Sequence, residues 1–322
     1  MMDKKPRPMI KRPGHYGAQP GALVPQEGSS GKMGTLVNIR VEEASEAVAA
    51  EKERALLTRL AELPSAIVAL SGGIDSAYLA WAAHRALGQK ALSVTALSES
   101  YSAHDREQVE AFVKATGVRH EYIETHELEN PAYRANAADR CYYCKDELFN
   151  VLDALAVERK ISAVTYGVNA DDPSDFRPGQ RAAAEHKVLT PLLEAGLHKA
   201  EIRLLAKRAG IPCWDRPASA CLASRLPYGT QVTPERLSLV ERGEAALREL
   251  GFRQFRVRLH DKLARVEVAR EEMPRAQEAE MAAAIVRGLK AAGFTYVALD
   301  LEGYRQGSLN ETLRKAAGTS EP

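Results

Sequence analysis

A short apolar run followed directly by a small, glycine-containing loop is the feature that most constrains the fold of this chain. Residues 66–70 read Ala-Ile-Val-Ala-Leu, a run without polar alternation that is typical of a strand buried on both faces. The loop 71–76, Ser-Gly-Gly-Ile-Asp-Ser, comes next, and apolar residues at helical spacing follow from Ala77 to Leu87. The pattern predicts a strand, a tight turn and a helix near the start of an α/β domain.

Alternating strand and helix patterns continue beyond this unit. We expect strands over residues 91–97, 119–124 and 163–167, and helices over residues 105–116 and 146–158. Alternation at this pace predicts the α/β class, with a doubly wound parallel sheet. In such sheets the ligand lies outside the carboxyl ends of the strands.

The loop 71–76 has the composition of an anion site. Gly72 and Gly73 have no Cβ, so the backbone can bend sharply and turn its N–H groups towards a phosphate. The following helix adds the partial positive charge of its N-terminus, and the Ser71 and Ser76 hydroxyls can donate hydrogen bonds. Asp75 would repel a phosphate unless Mg²⁺ lay between them or a hydrogen bond engaged the carboxylate. No Gly-Lys-Ser/Thr sequence closes the loop, which excludes the other common phosphate loop.

A different pattern begins after Pro227. Two neighbouring strands and flanking helices predict a smaller C-terminal α+β domain, in which the two strands pair in antiparallel fashion. The expected elements are a helix at 234–250, strands at 253–259, 264–269 and 296–301, and a helix at 273–292.

Composition narrows the class of partner. The chain has 44 Lys and Arg against 43 Asp and Glu, a formal net charge of +1, and lacks the basic excess that nucleic-acid binding usually requires. No apolar run approaches the roughly 20 residues that span a bilayer, and the N-terminus lacks an apolar signal segment. Four cysteines in a chain of 322 residues do not form a disulfide framework. We therefore expect a cytoplasmic protein with reduced cysteines and neither a membrane nor a nucleic-acid partner.

Three of the cysteines lie beside cations. Cys141 and Cys144 belong to an Arg-Cys-Tyr-Tyr-Cys-Lys string, and Cys221 lies between arginines, which favour the thiolate. Cys213 has apolar neighbours typical of a buried structural cysteine. A zinc site, a redox disulfide of Cys141 and Cys144, and an iron–sulfur cluster held by Cys141, Cys144 and Cys221 are all compatible with the spacing.

The strand–loop–helix string resembles the PP-loop ATP pyrophosphatase family. In that family ATP is cleaved between the α- and β-phosphates, which gives an adenylated substrate and pyrophosphate. Ser98 lies at the end of the second predicted strand, where the resemblance places the adenosine, and Gly167 and Asp171 follow the fourth strand at the same edge of the sheet. The resemblance therefore implies ATP and Mg²⁺, with the nucleotide bound by Ser71, Gly72, Gly73, Asp75, Ser76, Ser98, Gly167 and Asp171.

Two further strings are similar to the LarE family of sulfur transferases, which serves biosynthesis of the nickel-pincer cofactor of lactate racemase. They are Pro-Ala-Ser-Ala-Cys-Leu-Ala-Ser-Arg-Leu-Pro-Tyr-Gly at 217–229 and Leu-Asp-Leu-Glu-Gly-Tyr-Arg-Gln-Gly-Ser-Leu-Asn at 299–310, and the similarity extends over about residues 50–312. The resemblance implies adenylation of a carboxylate of pyridinium-3,5-dicarboxylic acid mononucleotide, followed by delivery of sulfur to give a thiocarboxylate.

The same resemblance implies two sources for the sulfur. In one branch the position of Cys221 is a sacrificial cysteine that becomes dehydroalanine. In another branch three cysteines hold a [4Fe-4S] cluster that carries an extra sulfide. Cysteines stand at all three places here, Cys141, Cys144 and Cys221, so the chain resembles the cluster branch. Cys221 and Asp75 are the residues expected to take part in catalysis.

Arg256 and Arg258 are two residues apart on a predicted strand and therefore share one face. Such a pair can clamp a phosphate, although the residues alone favour a solvated strand face. The family resemblance implies that both arginines, with Glu244 on the preceding helix, line the substrate phosphate site. It also implies a homo-oligomer.

We accordingly expect a disordered tail over residues 1–40, a PP-loop ATP-binding domain over 41–222, and a domain for substrate binding and oligomerisation over 223–322. A PP-loop tRNA thiolase with a three-cysteine cluster is the alternative function, and the charge balance speaks against it. A non-catalytic nucleotide-binding module and an NAD synthetase-like amidation both leave the cysteines unexplained.

Overall fold

The computed structural model describes residues 31–172, 178–217, 220–311 and 313. The chain divides into two units, Met1–Glu43 and Ala44–Pro322. The beginning of helix α1 (Gly31–Ala61) belongs to the first unit, and all later helices and strands belong to the second. The predicted tail over residues 1–40 falls mostly outside the described residues, and the predicted boundary at residue 222 stays a prediction. Among the described residues, no helix combines the length and apolarity needed to cross a bilayer.

A parallel four-stranded sheet forms the first half of the unit, which confirms the predicted fold class. Its order is β3-β2-β1-β4, so the chain winds outwards from β1 in both directions. The strands are β1 Ala66–Ala69, β2 Ala91–Leu97, β3 His120–Glu124 and β4 Val164–Tyr166. The helices are α1 Gly31–Ala61, α2 Ile74–Leu87, α3 Ala103–Thr116, α4 Pro131–Arg134, α5 Arg140–Arg159, α6 Pro178–Glu185, α7 Pro191–Glu194 and α8 Lys199–Arg208.

Both faces of this sheet are covered, as the unbroken apolar run 66–70 requires. Ile67 and Ala69 of β1 pack into one apolar cluster, which includes Phe149 of α5. Val68 and Leu70 face the opposite way and pack into a second cluster with residues of α2, α3 and α8. The loop after β1 therefore leaves a strand that is rigidly held on both sides, at the carboxyl edge of the sheet.

The second half contains a three-stranded sheet of order β5-β6-β7. Strands β5 and β6 are antiparallel, as predicted, and β7 runs parallel to β6. Leu222, Ala223 and Leu226 join the apolar core under this sheet, so the segment that follows Cys221 is anchored in it. The elements are α9 Pro234–Glu249, β5 Phe255–His260, β6 Leu263–Val268, α10 Met273–Gln277, α11 Ala279–Ala292 and β7 Tyr296–Leu299.

Helices α2 and α3 begin two or three residues earlier than predicted, and two other helices differ more substantially. The helix expected over residues 273–292 is broken into α10 and α11, because Glu278 has an extended backbone (φ −60°, ψ 136°). Helix α5 begins at Arg140 rather than at residue 146. The prediction missed this start because the first turn carries aromatic and charged residues without apolar spacing. Cys141 and Cys144 consequently lie in the first two turns of a helix.

Candidate active site

The loop between β1 and α2 is closed by its own hydroxyl groups. The Ser71 N–H donates to Ser76 Oγ (3.1 Å), and Ser76 Oγ donates to the Gly73 carbonyl (2.9 Å). Gly72 has φ +84°, in the left-handed region that favours glycine, and a Cβ there would lie 3.2 Å from the Asp105 carbonyl oxygen. The turn therefore has a defined shape before any ligand arrives.

The end of β4 presses against this turn at Gly167. A Cβ on Gly167 would lie 2.8 Å from the Ser76 nitrogen and 2.9 Å from the Asp75 carbonyl carbon, both backbone atoms. Only glycine permits this approach. The structure thus brings Gly167 against Asp75 and Ser76, in the same loop as Ser71, Gly72 and Gly73.

Asp75 is a mostly buried carboxylate with one oxygen engaged. Lys199, the first residue of α8, forms an ion pair with Asp75 Oδ2, whereas Asp75 Oδ1 is buried and makes no hydrogen bond within the part of the chain that the structure describes. Burial raises the pKa of Asp75, Lys199 opposes this, and the negative charge of Asp172 adds to it. A buried oxygen without a partner, next to a second carboxylate, is the donor set that Mg²⁺ prefers.

The Asp171 carboxylate points at helix α8. It accepts hydrogen bonds from His198 Nδ1 (2.6 Å) and from the Lys199 N–H (2.8 Å). Its role in the described geometry is to hold the start of α8, and thereby Lys199, beside Asp75. Asp172, the neighbouring carboxylate, is the one whose charge acts on Asp75. Sequence analysis passed over Lys199, although the apolar spacing of Ile202, Leu205 and Ala206 marks a helix there.

A cavity of about 380 Å³ opens at the carboxyl ends of β2 and β3. Ser98 lies in its lining, and its hydroxyl donates to Glu127 Oε1 (2.6 Å). The Ser100 hydroxyl donates to the same oxygen (2.7 Å), so Glu127 fixes the end of β2. The cavity occupies the position that the sequence assigned to adenosine.

Cys141, Cys144 and Cys221 surround two buried side chains. Arg140 is buried, and its pKa is raised although burial alone would lower it, because Cys221 and Cys141 lie close to it. Tyr133 is 1% exposed, its pKa is raised by burial and then by Cys221 and Cys144, and its hydroxyl has no hydrogen-bond partner among the described residues. Ser100 is a neighbour of that hydroxyl, but its own hydrogen goes to Glu127.

The cysteines themselves differ in exposure. All three are free thiols, with Cys141 exposed and the other two half-buried. Burial, and next the Glu127 carboxylate, raise the pKa of the Cys144 thiol. Across residues 31–172, 178–217, 220–311 and 313, no three His, Cys, Asp or Glu side chains stand close enough to hold a metal ion as placed. Cys213 is buried apart from them in the core around α2 and α8, as its apolar context predicted.

A second cavity, of about 220 Å³, lies beside the phosphate loop and is strongly cationic. Arg216 lines it and reaches the loop, donating to the Gly72 carbonyl (3.0 Å) and pairing with Asp105. Arg225 also lines it, donates to the Cys221 carbonyl (3.0 Å) and forms a bidentate ion pair with Glu244. Two arginines that sequence analysis noted only as neighbours of Cys221 therefore connect the loop, the cysteine and the cavity.

Of the three predicted ligands of the substrate phosphate, two line this cavity and one does not. Arg256 lines it, buried, with its pKa lowered to about 10 by burial and by Arg225. Glu244 also lines it, and the Arg225 guanidinium outweighs its burial and lowers its pKa. Arg258 is not among the lining residues, because its guanidinium forms a bidentate pair with Glu267 (3.0 and 2.9 Å) and donates to Ser308 Oγ.

Comparisons with known proteins identify the family of this chain. Residues 48–155 match the family model of asparagine synthase. An uncharacterized protein of Synechocystis sp. is 42% identical over 254 residues, 79% of this chain and 95% of that protein. Pyridinium-3,5-bisthiocarboxylic acid mononucleotide synthase of Lactiplantibacillus plantarum is 33% identical over 274 residues, 84% of this chain and 98% of that protein.

The chain belongs to the LarE family. The resemblance seen in the sequence is thus confirmed, and the chain is an ATP-dependent enzyme with the PP-loop domain of that family. A phosphate loop at the carboxyl end of β1 agrees with membership of this family.

Two segments of this LarE-family chain, far apart in sequence, bring three free thiols near Arg140 and the Tyr133 hydroxyl. Cysteine sulfur is the usual ligand of iron–sulfur clusters, so the residue type suits such a group, but the cluster itself stays a prediction. The individual ligand roles of Cys141, Cys144 and Cys221 stay predictions.

Proposed function

We propose that this chain is an ATP-dependent sulfur transferase that acts on pyridinium-3,5-dicarboxylic acid mononucleotide. It adenylates a carboxylate of that substrate and installs sulfur to give a thiocarboxylate. The observation that carries the proposal is the chain of contacts from Gly72 of the phosphate loop through Arg216 to the cationic cavity, and from there through Arg225 to Cys221.

The first half-reaction takes place at the loop. A carboxylate oxygen of the substrate attacks the α-phosphorus of ATP, the bond to the bridging oxygen breaks, and pyrophosphate departs towards the loop 71–76. The loop N–H groups and the N-terminus of α2 stabilise the departing charge, and their fixed geometry means that little reorganisation is required. Mg²⁺ held by Asp75 and Asp172 would neutralise pyrophosphate, and Lys199 would exchange Asp75 for a phosphate oxygen.

The second half-reaction takes place between the cavity and Cys221. The acyl-adenylate carbon is attacked by a sulfur nucleophile, and AMP leaves. Arg225 holds the Cys221 carbonyl and Glu244 together, so the sulfur source and the substrate cavity keep a fixed relation. The buried Arg140 guanidinium lies beside both Cys141 and Cys221, so a cation stands next to the sulfur atoms at this end of the site.

For the sulfur source, two forms of the proposal remain distinct. A [4Fe-4S] cluster held by Cys141, Cys144 and Cys221 would supply sulfide as the nucleophile, with Tyr133 as a hydrogen-bond donor beside it. In the other form Cys221 gives up its own sulfur and becomes dehydroalanine. The free thiols also lead us to infer a cytoplasmic location.

Pyrophosphate release separates adenylation from sulfur transfer. We expect release to require both ATP and the mononucleotide, to disappear in Ser71→Ala, and to persist in Cys221→Ser, which should form the acyl-adenylate but no thiocarboxylate. Release stimulated by tRNA and not by the mononucleotide would instead establish the tRNA thiolase alternative.

A further inference from the structure

Arg248 stands apart from the other arginines of the cationic cavity. It lies in the last turn of α9, is half-buried, and lines the cavity together with Arg216, Arg225 and Arg256. Its guanidinium lies over the Phe255 ring, 5.8 Å from the centroid. Within the residues that the structure describes, no carboxylate forms an ion pair with it and no hydrogen bond engages it.

The neighbouring cations are engaged. Arg216 pairs with Asp105, Arg225 with Glu244, and Arg253 with Asp215 (3.0 Å). Glu244 is the single carboxylate in the cavity lining, and Arg225 already occupies both of its oxygens. The cavity therefore has positive charge that no described side chain neutralises, and a half-buried cation without a partner is costly unless an anion arrives.

We propose that Arg248 binds the phosphate group of the mononucleotide substrate as a further ligand beside Arg256. This assignment rests on the proposed function, because it takes its ligand from the proposed substrate. Arg256 and Arg248 then approach the phosphate from β5 and α9.

The surroundings of Arg248 suit this role. Burial lowers the pKa of Arg248, and Arg216 lowers it further, while Glu244 and Asp105 act in the opposite sense. Phosphate supplies the negative charge that such a site lacks. His104, in the first turn of α3, also lines the cavity. Arg216 connects the cavity to the loop, so a substrate anchored here by its phosphate can extend its pyridine carboxylate towards ATP.

A purely structural role for Arg248 is the competing explanation. A cation in the last turn of a helix is stabilised by the helix dipole, and this requires no ligand. The two roles differ in what they do to a substrate that lacks the phosphate group. Loss of a phosphate contact affects only the nucleotide, whereas loss of a structural cation affects nucleotide and nucleoside alike.

The test compares Arg248→Gln, Arg248→Lys and a control, Arg236→Gln, in the full-length protein. Arg236 lies on the same helix and, like Arg248, is half-buried, but it is not among the residues that line the cavity. Pyrophosphate release is followed with the mononucleotide and with the corresponding nucleoside, and binding of inorganic phosphate is measured by calorimetry. In Arg248→Gln, KM for the nucleotide should rise by about tenfold to a hundredfold, the loss expected for a charge-assisted hydrogen bond. KM for the nucleoside and for ATP should not change, and phosphate binding should weaken.

Arg248→Lys should recover part of the nucleotide affinity, and Arg236→Gln should behave like the wild type. An equal penalty on nucleotide and nucleoside, or unchanged KM and phosphate binding in Arg248→Gln, would overturn the assignment. Failure of the proposed function has a different signature, since wild-type protein would then release no pyrophosphate with either substrate. In that case the phosphate calorimetry alone decides whether Arg248 is an anion ligand.

Discussion

Asp75 is a residue at which folding stability and chemistry conflict. Its carboxylate is mostly buried, one oxygen has no hydrogen-bond partner among the described residues, and Asp172 repels it. A carboxyl whose pKa is raised in the folded state binds protons more tightly there than in the unfolded chain. It therefore reduces stability as pH rises from its ordinary pKa of 3.8 through the folded value.

Asp75→Asn should accordingly abolish pyrophosphate release while raising the melting temperature at pH 7.5. The amide removes a buried charge but cannot hold Mg²⁺ as a carboxylate does. Thermal unfolding followed by circular dichroism, with parallel pyrophosphate assays, measures both effects. A variant that melts earlier than wild type, or that retains full release, would contradict this account of Asp75.

The sequence predicted which strand face a residue lies on better than it predicted the ionic partner of that residue. The two-residue spacing correctly placed Arg256 and Arg258 on one strand, but no local signal indicates that Arg258 donates to both carboxylate oxygens of Glu267. Asp171 and Asp172 are likewise indistinguishable in sequence. Only the fold shows that the first engages α8, whereas the charge of the second acts on Asp75.

Among the elements, the contact between the end of β4 and the loop is the tightest constraint on the site. Gly167→Ala would force its Cβ against backbone atoms of Ser76 and Asp75, and backbone cannot yield as a flexible side chain does. We expect destabilisation of about 1–3 kcal/mol, the usual cost of overpacking, and loss of ATP-dependent turnover.

Gly73→Ala is the matched comparison on the other side of the loop. Its Cβ would meet only Ser71 Oγ at 3.6 Å, an ordinary contact. Urea unfolding should show it close to wild type in stability even if a ligand is displaced. Equal stability of the Gly167→Ala protein and wild type would show that β4 does not brace the loop.

Helices α5 and α6 are joined by a histidine between two carboxylates. His186 Nδ1 lies 2.7 Å from Asp153 and Nε2 lies 3.1 Å from Asp146. Burial alone would lower the pKa of His186, but the hydrogen bonds with Asp153 and Asp146 outweigh it and raise it. Both ring nitrogens can donate only when the ring is protonated.

His186→Gln should therefore destabilise the protein at pH 6 and have a progressively smaller effect as pH rises. The stabilisation is complete below the ordinary pKa of 6.5 and is lost through the raised folded pKa. Melting temperatures of wild type and variant between pH 5.5 and about 9, with exposed His126→Gln as control, measure the difference. A gap that is constant with pH would contradict protonation of His186.

Long periodic elements were the predictable ones. The apolar run of β1 and the spacing in α2 and α9 correctly indicated strand and helices, because burial dictates the pattern. The predicted start of α5 was wrong, since its first turn has no apolar spacing and the Asp139 side chain does not cap the helix backbone. Helix α8, which supplies Lys199, was missed although its spacing was readable.

At the scale of the whole molecule, the site draws on segments that lie far apart along the chain. Three arginines connect these segments. Arg216 donates to the phosphate loop, and Arg140, next to Cys141, donates to the Ala223 carbonyl. Arg225 joins the Cys221 carbonyl to Glu244 of α9. Family similarity indicated which segments matter, but the fold was needed to show that arginines beside Cys221 connect it to the cavity. The homo-oligomer stays a prediction.

Iron content tests the cluster form of the sulfur source. Protein purified or reconstituted without oxygen should contain about four irons and a matching amount of sulfide per chain, and Cys141→Ala should lose them. Arg140 and Tyr133 should retain the fold of the variant, because both are buried independently of Cys141. Iron-free wild-type protein that still transfers sulfur once per chain would instead identify Cys221 as the sacrificial donor.

Mass spectrometry of the small-molecule product shows directly whether this protein installs sulfur. Wild-type protein, ATP, Mg²⁺ and pyridinium-3,5-dicarboxylic acid mononucleotide are incubated without oxygen, and the mononucleotide is analysed after the reaction. We expect a product in which sulfur replaces one carboxylate oxygen, formed together with AMP and pyrophosphate and absent in Ser71→Ala and Cys221→Ser. A mononucleotide that is recovered unchanged by protein that cleaves ATP would contradict this expectation.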